Sequence, residues 1–384
     1  MKRREFIAGS ILSVVAGPIG GTKASALPLG PNAGPMKQGL NDGQNRSKDR
    51  DPLQLQKSTI VVDGLDVSAL NENYLRMLKA GGVNCWHKSV DGLDGFTALY
   101  RFLDKHDEIV MATSAKDIRQ ASMQGRIALV VGWQSAEDLG EAQNSAIGGP
   151  PHTVLRAYYQ LGLRICGIAY NVTNIFGGGC LEPEVGLTRA GKRLVEEIHQ
   201  LRILLDVGGH TGERTSLDAI EISSGHPVIC SHSNVAAIAD NPRCISNRLI
   251  EAIAKTGGVV GISAVNDFMV RAKKDANVPR SPRVTVEAFL DQLEYVRNLV
   301  GADHVGIGPD FVQDRQIPYG EVNRAIITPE MISDGEWLYA KGFEKISELP
   351  NVTAGLIRRG WPTSDVRKVL GENWLRVYEK VWEA

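Results

Sequence analysis

The sequence predicts a parallel β/α barrel, and two observations lead to this fold class. From about Ser58 to the C-terminus, short apolar runs alternate with segments whose apolar residues recur at helical spacing. The apolar runs suggest eight strands, and eight strands that are each followed by a helix close into a (β/α)8 barrel of the TIM type. A doubly wound open sheet is the competing fold. It would need no eighth strand, and it usually has a glycine-rich phosphate loop that the stretch VVDGLDVSAL does not provide.

The predicted strands lie at 59–62, 83–90, 127–133, 163–170, 201–207, 227–231, 258–265 and 304–308. Between them, stretches such as NENYLRMLKAG and TVEAFLDQLEYVRNLVG are predicted helices, and several of these end at glycine, as helix C-termini commonly do. Two long connections, 267–283 and 311–337, are expected to cover one mouth of the barrel and to line a site there.

The N-terminal part differs in composition from the rest. Residues 1–26 have a basic start, a short apolar middle and a small-residue end. Arg3 and Arg4 resemble a twin-arginine export signal, and Ala24-Ser25-Ala26 resembles a cleavage site. Residues 27–56 are rich in Gly, Pro, Asn, Asp and Lys and predict a flexible linker before a barrel over 57–384. We therefore expect a periplasmic protein without a stable membrane span.

Composition excludes some functions and leaves others open. The 384 residues include 43 basic and 44 acidic side chains, and no basic run is longer than a few residues, so nothing indicates a nucleic-acid partner. The five cysteines show no spacing that suggests a disulfide framework. Cys180 stands out because it lies in a glycine-rich loop. The sequence does not decide whether the protein forms a homodimer.

Polar side chains recur at the carboxyl ends of the predicted strands, where the active sites of such barrels lie. The most informative are His210 after the fifth strand, His232 after the sixth and Asp310 after the eighth, since they combine metal-ligand and acid/base chemistry. His87 lies within the second strand, and the pattern does not decide which side of the wall it faces. The other strand-end groups are Asp63, Asp66, Gln134, Tyr170, Asn171, Asn266 and Asp267.

From about Ile60 onward, the chain resembles the renal (membrane) dipeptidase family of amidohydrolase-like barrels. The matching stretches include YYQLGLR, GLTRAGKRLVEEIHQL, LLDVGGHTGERT, PVICSHSNVAAIADNPRCIS, HVGIGPDF and RRGWPTSDVRKVLGENWLRVY. The resemblance implies a binuclear zinc site and cleavage of a peptide bond next to a free carboxylate. It places His210 and His232 on metal-binding histidines and Asp310 on the aspartate that handles protons. It places Arg243 on the arginine that pairs with the substrate carboxylate, a contact that a guanidinium makes with two parallel hydrogen bonds.

The sequence also departs from the family pattern. The first strand of the family usually supplies a histidine and an aspartate to one metal, and this chain has Leu65 and Val67 there. The bridging glutamate corresponds to Gln134, whose neutral amide brings no negative charge to offset the repulsion between two cations. The family's substrate-binding histidine on the fourth strand corresponds to Tyr170. A normal binuclear site is therefore not expected.

Three functional hypotheses follow. The first is an exported hydrolase of an amide or ester bond in a small carboxylate-bearing substrate, with at most one zinc ion. The second is a metal-independent periplasmic lyase or tailoring enzyme that uses the same side chains as acids and bases. The third is a catalytically inactive barrel that binds a small ligand. Under the first hypothesis, the catalytic residues are Asp310 and Tyr170, the substrate-binding residues are Arg243, Asn171 and Gln134, and the metal ligands are His210 and His232, with Asp310, Gln134, Cys180 or His87 as a further ligand.

Overall fold

A computed structural model describes residues 51–139, 154–270, 282–314, 324–332 and 338–383. The segment assigned to the export signal lies outside these residues, as does the linker up to residue 50. Within the last part of that linker, the chain is helical over Pro52–Lys57, where Asp51 accepts a hydrogen bond from the Leu53 N–H at 3.0 Å and so caps the helix. The domain boundaries themselves stay predictions.

Nine parallel strands form the sheet of the described chain. They are β1 Val62–Asp66, β2 Cys85–Ser89, β3 Ile109–Met111, β4 Ile127–Trp133, β5 Leu163–Cys166, β6 Leu204–Asp206, β7 Val228–Ser233, β8 Val260–Ile262 and β9 Val305–Ile307. Eight of them follow one another in the order β1-β2-β4-β5-β6-β7-β8-β9, and β3 pairs only with β4. A parallel bridge between Asp66 and Phe311 joins the two ends of this path. The sheet is therefore a nearly closed barrel of eight strands, and the predicted fold class is confirmed.

Helices surround this barrel and close one of its ends. They are α1 Pro52–Lys57, α2 Glu72–Ala80, α3 Gly92–Leu103, α4 Ala115–Met123, α5 Leu155–Gln160, α6 Arg189–Gln200, α7 Glu213–Ile222, α8 Asn247–Lys255, α9 Val286–Val300, α10 Leu349–Arg358, α11 Thr363–Arg367 and α12 Asn373–Trp382. Polar residues begin several of them. The side chains of Asn71, Thr188 and Ser246 each accept a hydrogen bond from a backbone N–H in the first turn of α2, α6 and α8. Among the described helices, none is both long and apolar enough to cross a bilayer.

The C-terminal helix α12 closes the interior of the barrel. Its Trp374 is fully buried and packs with inward-facing residues of the strands, such as Val62, Val130 and Ile229. Glycines on three strands make room for the indole. A Cβ added at Gly64, Gly261 or Gly306 would lie 2.4, 3.0 or 2.6 Å from Trp374 atoms. One end of the interior is thus filled by side chains of α12, among them Trp374, and the opposite end stays available for the site.

Most observed strands are shorter than the predicted ones, and two larger differences concern β1 and β3. The first strand begins at Val62 and contains Asp63 and Asp66, whereas the prediction ended it at Val62 and placed both aspartates after it. The difference arises because these carboxylates are satisfied locally, by the Leu65 N–H at 3.1 Å and the Ser68 N–H at 2.5 Å, so that a buried strand tolerates them. Strand β3 was not predicted, since three apolar residues are too short a pattern to recognise.

Candidate active site

The candidate site lies at the carboxyl ends of the strands, where His210 follows β6 and His232 lies in β7. Gly208 and Gly209 have φ values of +86° and +64°, and this conformation turns the chain between the strand and His210. A Cβ on Gly209 would lie 2.5 Å from Nη1 of Arg243 and 2.8 Å from the carbonyl oxygen of His232. The glycine therefore allows His210, His232 and Arg243 to meet.

His210 is the centre of the hydrogen-bond network in this site. Its Nδ1 lies 2.6 Å from Oδ1 of Asn171, and its Nε2 lies 3.2 Å from Nη2 of Arg243 and 2.9 Å from Oε1 of Gln134. Tyr170 stacks on the imidazole with ring centroids 3.9 Å apart. Burial, together with the nearby charge of Arg243, lowers the pKa of His210 well below its usual value. The ring is therefore neutral, with one nitrogen lone pair.

His232 is the second imidazole of the site. Its ring centroid lies 4.9 Å from that of His210, and its Nδ1 lies 2.7 Å from the Ser231 hydroxyl. The Nε2 atom is buried and has no hydrogen-bond partner. Burial and then Arg243 lower the pKa of His232 well below its ordinary value. This nitrogen is therefore available to a water molecule or to a ligand.

Arg243 brings a positive charge into the site. The residue is 1% exposed, its guanidinium lies 5.2 Å from the centroid of the Phe268 ring, and its Nη1 has no hydrogen-bond partner. No ion pair involves Arg243 in the part of the chain that the structure describes. A buried guanidinium of this kind has a free N–H donor for an anion.

Two acidic groups stand near this charge. Burial raises the pKa of Asp310 to about 7, against the lowering effect of Arg243, although the residue as a whole is partly exposed at the mouth. Burial also raises the pKa of Asp206 to about 7. Asp206, which accepts the Ser231 N–H at 2.8 Å, was missed in the sequence, where it was read as part of an apolar strand. Both carboxyls can gain or lose a proton near neutral pH.

The remaining predicted residues line the mouth or support it. Burial raises the pKa of Tyr170 to about 12, so its phenol stays protonated and can donate a hydrogen bond. Gln134 is half-buried and reaches both His210 and, at 3.4 Å, the Ser89 hydroxyl. Asn171 lies behind His210, 1% exposed, and Cys180 donates to its Oδ1 at 3.4 Å. Burial raises the pKa of the Cys180 thiol to about 11, which does not favour a thiolate ligand.

The orientation of His87, left open in the sequence, is inward. Its neighbour at alternate spacing, Cys85, packs among the residues inside the barrel, and Nδ1 of His87 lies 2.5 Å from the Gly64 carbonyl oxygen. The Nε2 atom is buried without a partner, and burial lowers the pKa of His87 to about 4. A Cβ on Gly132 would lie 2.0 Å from this Nε2, so the ring occupies space that the glycine leaves.

The first strand offers no ligand where the family pattern has two. Leu65 and Val67 are buried, and neither side chain can bind an ion. Asp66 turns away from the barrel interior, because a register shift between Asp63 and Asp66 directs its carboxylate to the hydroxyl of Tyr74 on α2. Asp63 stays buried with Oδ2 unpartnered, and burial together with Asp66 raises its pKa well above the usual range.

The two imidazoles are the donors that a metal ion would use here, and they do not by themselves make a complete site. Neutral imidazole nitrogens are suitable ligands, but Nε2 of His210 already contacts Arg243 and Gln134, whereas Nε2 of His232 has no partner. Across the described ranges, no three His, Cys, Asp or Glu side chains converge closely enough to hold an ion by themselves. With Leu65, Val67 and Gln134 at the other positions, a second ion has neither its ligands nor a bridging charge.

Comparison with known proteins agrees with this fold. A family profile described as membrane dipeptidase (peptidase family M19) matches residues 66–325 and 330–384. Dipeptidase tcpJ of Claviceps purpurea (strain 20.1) is 27% identical over 278 residues, 72% of this chain and 56% of its own length, so this chain aligns with little more than half of that relative. A crystal structure of an amidohydrolase from Pseudomonas aeruginosa is 30% identical, with a TM-score of 0.75 over 87% of this chain and 100% of the other. The dipeptidase AC, a metallo peptidase of family M19, shares the fold at 22% identity, with a TM-score of 0.67 over 85% of this chain and 99% of its own.

The close approach of Gly132 and His87 gives a test of the interior geometry. Gly132→Ala should lower the free energy of unfolding by about 1–3 kcal/mol, because the added methyl group overlaps the imidazole. In a His87→Ala background the same substitution should cost much less, since the ring is gone. Urea unfolding of the four proteins of this double-mutant cycle measures the coupling. Purely additive effects would show that the two residues are not in contact.

Proposed function

The chain belongs to the membrane dipeptidase family, peptidase family M19, whose members are metal-dependent hydrolases, and we propose that it hydrolyses an amide bond in a small substrate with a free carboxylate, using at most one metal ion. The observation that supports this most directly is the buried Arg243 guanidinium, which has an unpartnered N–H and lies within 3.2 Å of His210. A carboxylate bound there would be held next to the histidine pair.

In this proposal, Asp310 is the group that accepts and donates protons. A carboxyl whose pKa is about 7 can take a proton from the attacking water and later return it to the leaving amine at neutral pH. Its position after β9, where its backbone N–H donates to the Leu65 carbonyl oxygen at 3.0 Å, fixes it at the rim of the same mouth. Asp310 therefore has both the location and the proton affinity that a general acid/base needs.

In this proposal, Tyr170 stabilises the reacting carbonyl group by a hydrogen bond. The phenol keeps its proton, since its pKa is about 12, and the ring is held by stacking on His210. Such a donor can bind the oxygen that becomes negative when the amide carbon is attacked, and a fixed donor of this kind contributes to the rate in acyl transfer. In this position the tyrosine takes the place of the family's substrate-binding histidine.

His210 and His232 would hold the metal ion, which would supply an activated water and polarise the substrate carbonyl. We expect the ion to bind less tightly than in a site with carboxylate ligands. Nη2 of Arg243 already donates to Nε2 of His210, and Oε1 of Gln134 lies against the same nitrogen, so both side chains would have to move away before an ion could bind there. The same contacts favour the second candidate function, a metal-independent enzyme that uses neutral histidines, Asp310 and Tyr170 as acid and base groups.

The proposed location is the periplasm, after export through a twin-arginine signal. The support is the sequence of residues 1–26, with Arg3 and Arg4 before a short apolar run. Replacing both arginines with lysine should leave the protein in the cytoplasm, because the export machinery reads the arginine pair. Cell fractionation measures this, and unchanged periplasmic protein would contradict the assignment.

Loss of the Arg243 guanidinium should affect substrates with and without a free carboxylate differently. For an N-acyl amino acid, Arg243→Gln should reduce kcat/KM by about tenfold to a hundredfold, the size of one lost charge-assisted contact. For the same compound with an amidated C-terminus, the substitution should change little, since no anion is bound. Thermal unfolding controls for damage to the fold. A wild-type enzyme that cleaves both compounds equally well would contradict the carboxylate assignment.

Metal content separates the candidate functions. Zinc-loaded wild-type protein, freed of excess ion, should contain at most one ion per chain, and His210→Ala should lose both ion and activity, because one histidine cannot hold zinc tightly. The combined change Leu65→His, Val67→Asp and Gln134→Glu should raise the content toward two ions. His106→Ala, outside the site, is the control. Full activity of metal-free protein would favour the metal-independent enzyme, and two ions in the wild type would contradict the single-ion proposal.

A further inference from the structure

Asn171 occupies a position from which it cannot reach a substrate. The residue is 1% exposed and lies on the loop after β5, on the side of His210 that faces away from Arg243. Both polar atoms of its side chain are occupied by protein groups. Nδ2 donates to the Ile326 carbonyl oxygen at 3.0 Å, and Oδ1 lies 2.6 Å from Nδ1 of His210 and 3.4 Å from Sγ of Cys180. Asn171 can therefore affect the reaction only through its contact with His210.

The surroundings of Asn171 fix which amide atom faces His210. The carbonyl oxygen of Ile326 accepts hydrogen bonds only, so the amide nitrogen must point toward it. The oxygen is then directed at two groups that can donate, the Cys180 thiol and Nδ1 of His210. Because Oδ1 has no proton to give, the short contact of 2.6 Å is favourable only when Nδ1 of His210 carries the proton.

The opposite edge of the imidazole requires the same tautomer. Nη2 of Arg243 can only donate, and it lies 3.2 Å from Nε2 of His210, so Nε2 must offer a lone pair. Oε1 of Gln134 also lies 2.9 Å from Nε2 of His210 and can only accept, so this tautomer requires the Gln134 amide in the opposite orientation. After a half-turn its nitrogen faces His210 and its oxygen faces the Ser89 hydroxyl, which can donate to it.

The backbone around Asn171 is built to hold this arrangement. Asn171 has a φ of +63°, a conformation that asparagine tolerates better than most other residues. The N–H groups of Asn171 and Cys180 both donate to the carbonyl oxygen of His210, at 3.2 and 2.8 Å. A Cβ on Gly179 would lie 2.1 Å from the carbonyl carbon of Asn171, so the loop folds closely over the asparagine. Main chain and side chain thus fix His210 together.

We propose that Asn171 is a positioning residue that keeps the proton of His210 on Nδ1 and so directs the Nε2 lone pair into the mouth, with the Cys180 thiol as the second donor that orients its amide. The tautomer is inferred from the contacts of His210 with Asn171 and Arg243, with the Gln134 amide turned to match them. Its value for catalysis rests on the proposed function, in which that lone pair binds an ion or accepts a proton. Partners behind a functional imidazole commonly set its tautomer in this way.

The test reads the tautomer directly by NMR of metal-free protein labelled with 15N-histidine, where the signals of His210 are assigned by their loss in His210→Ala. Wild-type protein should show Nδ1 protonated and Nε2 bare. Asn171→Leu, which keeps the size and removes the acceptor, should shift His210 toward the other tautomer or a mixture. Asn171→Asp, which keeps an acceptor, should preserve Nδ1–H. A wild-type His210 with the proton on Nε2 would overturn the proposal even if no variant folds.

A matched control separates positioning from loop stability. Asn174 lies in the same loop, where its side chain caps the N–H groups of Phe176 and Gly177 and donates to the Ile168 carbonyl oxygen. Asn174→Leu should lower thermal stability but leave the His210 tautomer unchanged, and Cys180→Ser should leave it unchanged because the hydroxyl still donates. A tautomer change in Asn174→Leu equal to that in Asn171→Leu would show that general loosening of the loop is the cause and would contradict the proposal.

Activity and zinc affinity form a second, separate readout. Asn171→Leu should weaken zinc binding by about tenfold to a hundredfold, the usual effect of removing such a partner, and Asn171→Asp should recover most of it. If the His210 tautomer shifts as expected but neither activity nor zinc affinity changes, the positioning role of Asn171 is supported and the proposed function is contradicted. If the His210 tautomer is the same in all variants, the positioning role of Asn171 is contradicted, whether or not activity changes.

Discussion

The buried positive charge of Arg243 determines which charges and contacts the neighbouring residues at the barrel mouth can have. A guanidinium that is 1% exposed and has no described ion pair is costly, because its hydration is only partly replaced. Its neighbours reduce this cost by staying uncharged or by accepting its protons. His210 and His232 are neutral, Nε2 of His210 accepts from Nη2, and the Phe268 ring lies against the guanidinium. Arg243 is therefore a buried cation beside two neutral imidazoles, and a bound carboxylate would balance its charge.

A simple rule led from the sequence to His210, His232 and Asp310 as residues of one site. The carboxyl ends of parallel strands meet at one mouth, so polar residues that follow apolar runs converge there. The same rule could not place His87 or Asp66, whose directions depend on strand register. The register shift within β1 turns Asp66 outward to Tyr74, whereas the regular pleat of β2 turns His87 inward. Local patterns do not contain the pairing between strands that decides these directions.

The role of Asn171 shows a second limit of sequence reasoning. A polar residue at a strand end was expected to bind substrate, but it is buried behind the histidine that the same rule identified. Its partners come from far along the chain, since the Ile326 carbonyl oxygen is separated from it by 155 residues. The replacements of the family's ligands by Leu65 and Gln134 were visible in the sequence. Their consequence, an Nε2 of His210 in contact with both Arg243 and the Gln134 amide, required the three-dimensional arrangement.

The aromatic plug formed by Trp374 ties the order of synthesis to the order of folding. The space left by Gly64, Gly261 and Gly306 is filled by a side chain from α12, the last of the described helices. During translation the eight strands emerge before this helix does, so the interior of the barrel lacks this side chain until residue 374 has been added. Stable closure of this barrel therefore has to wait for α12. A nascent chain stalled before residue 374 would expose an incomplete apolar interior, the kind of surface that chaperones recognise.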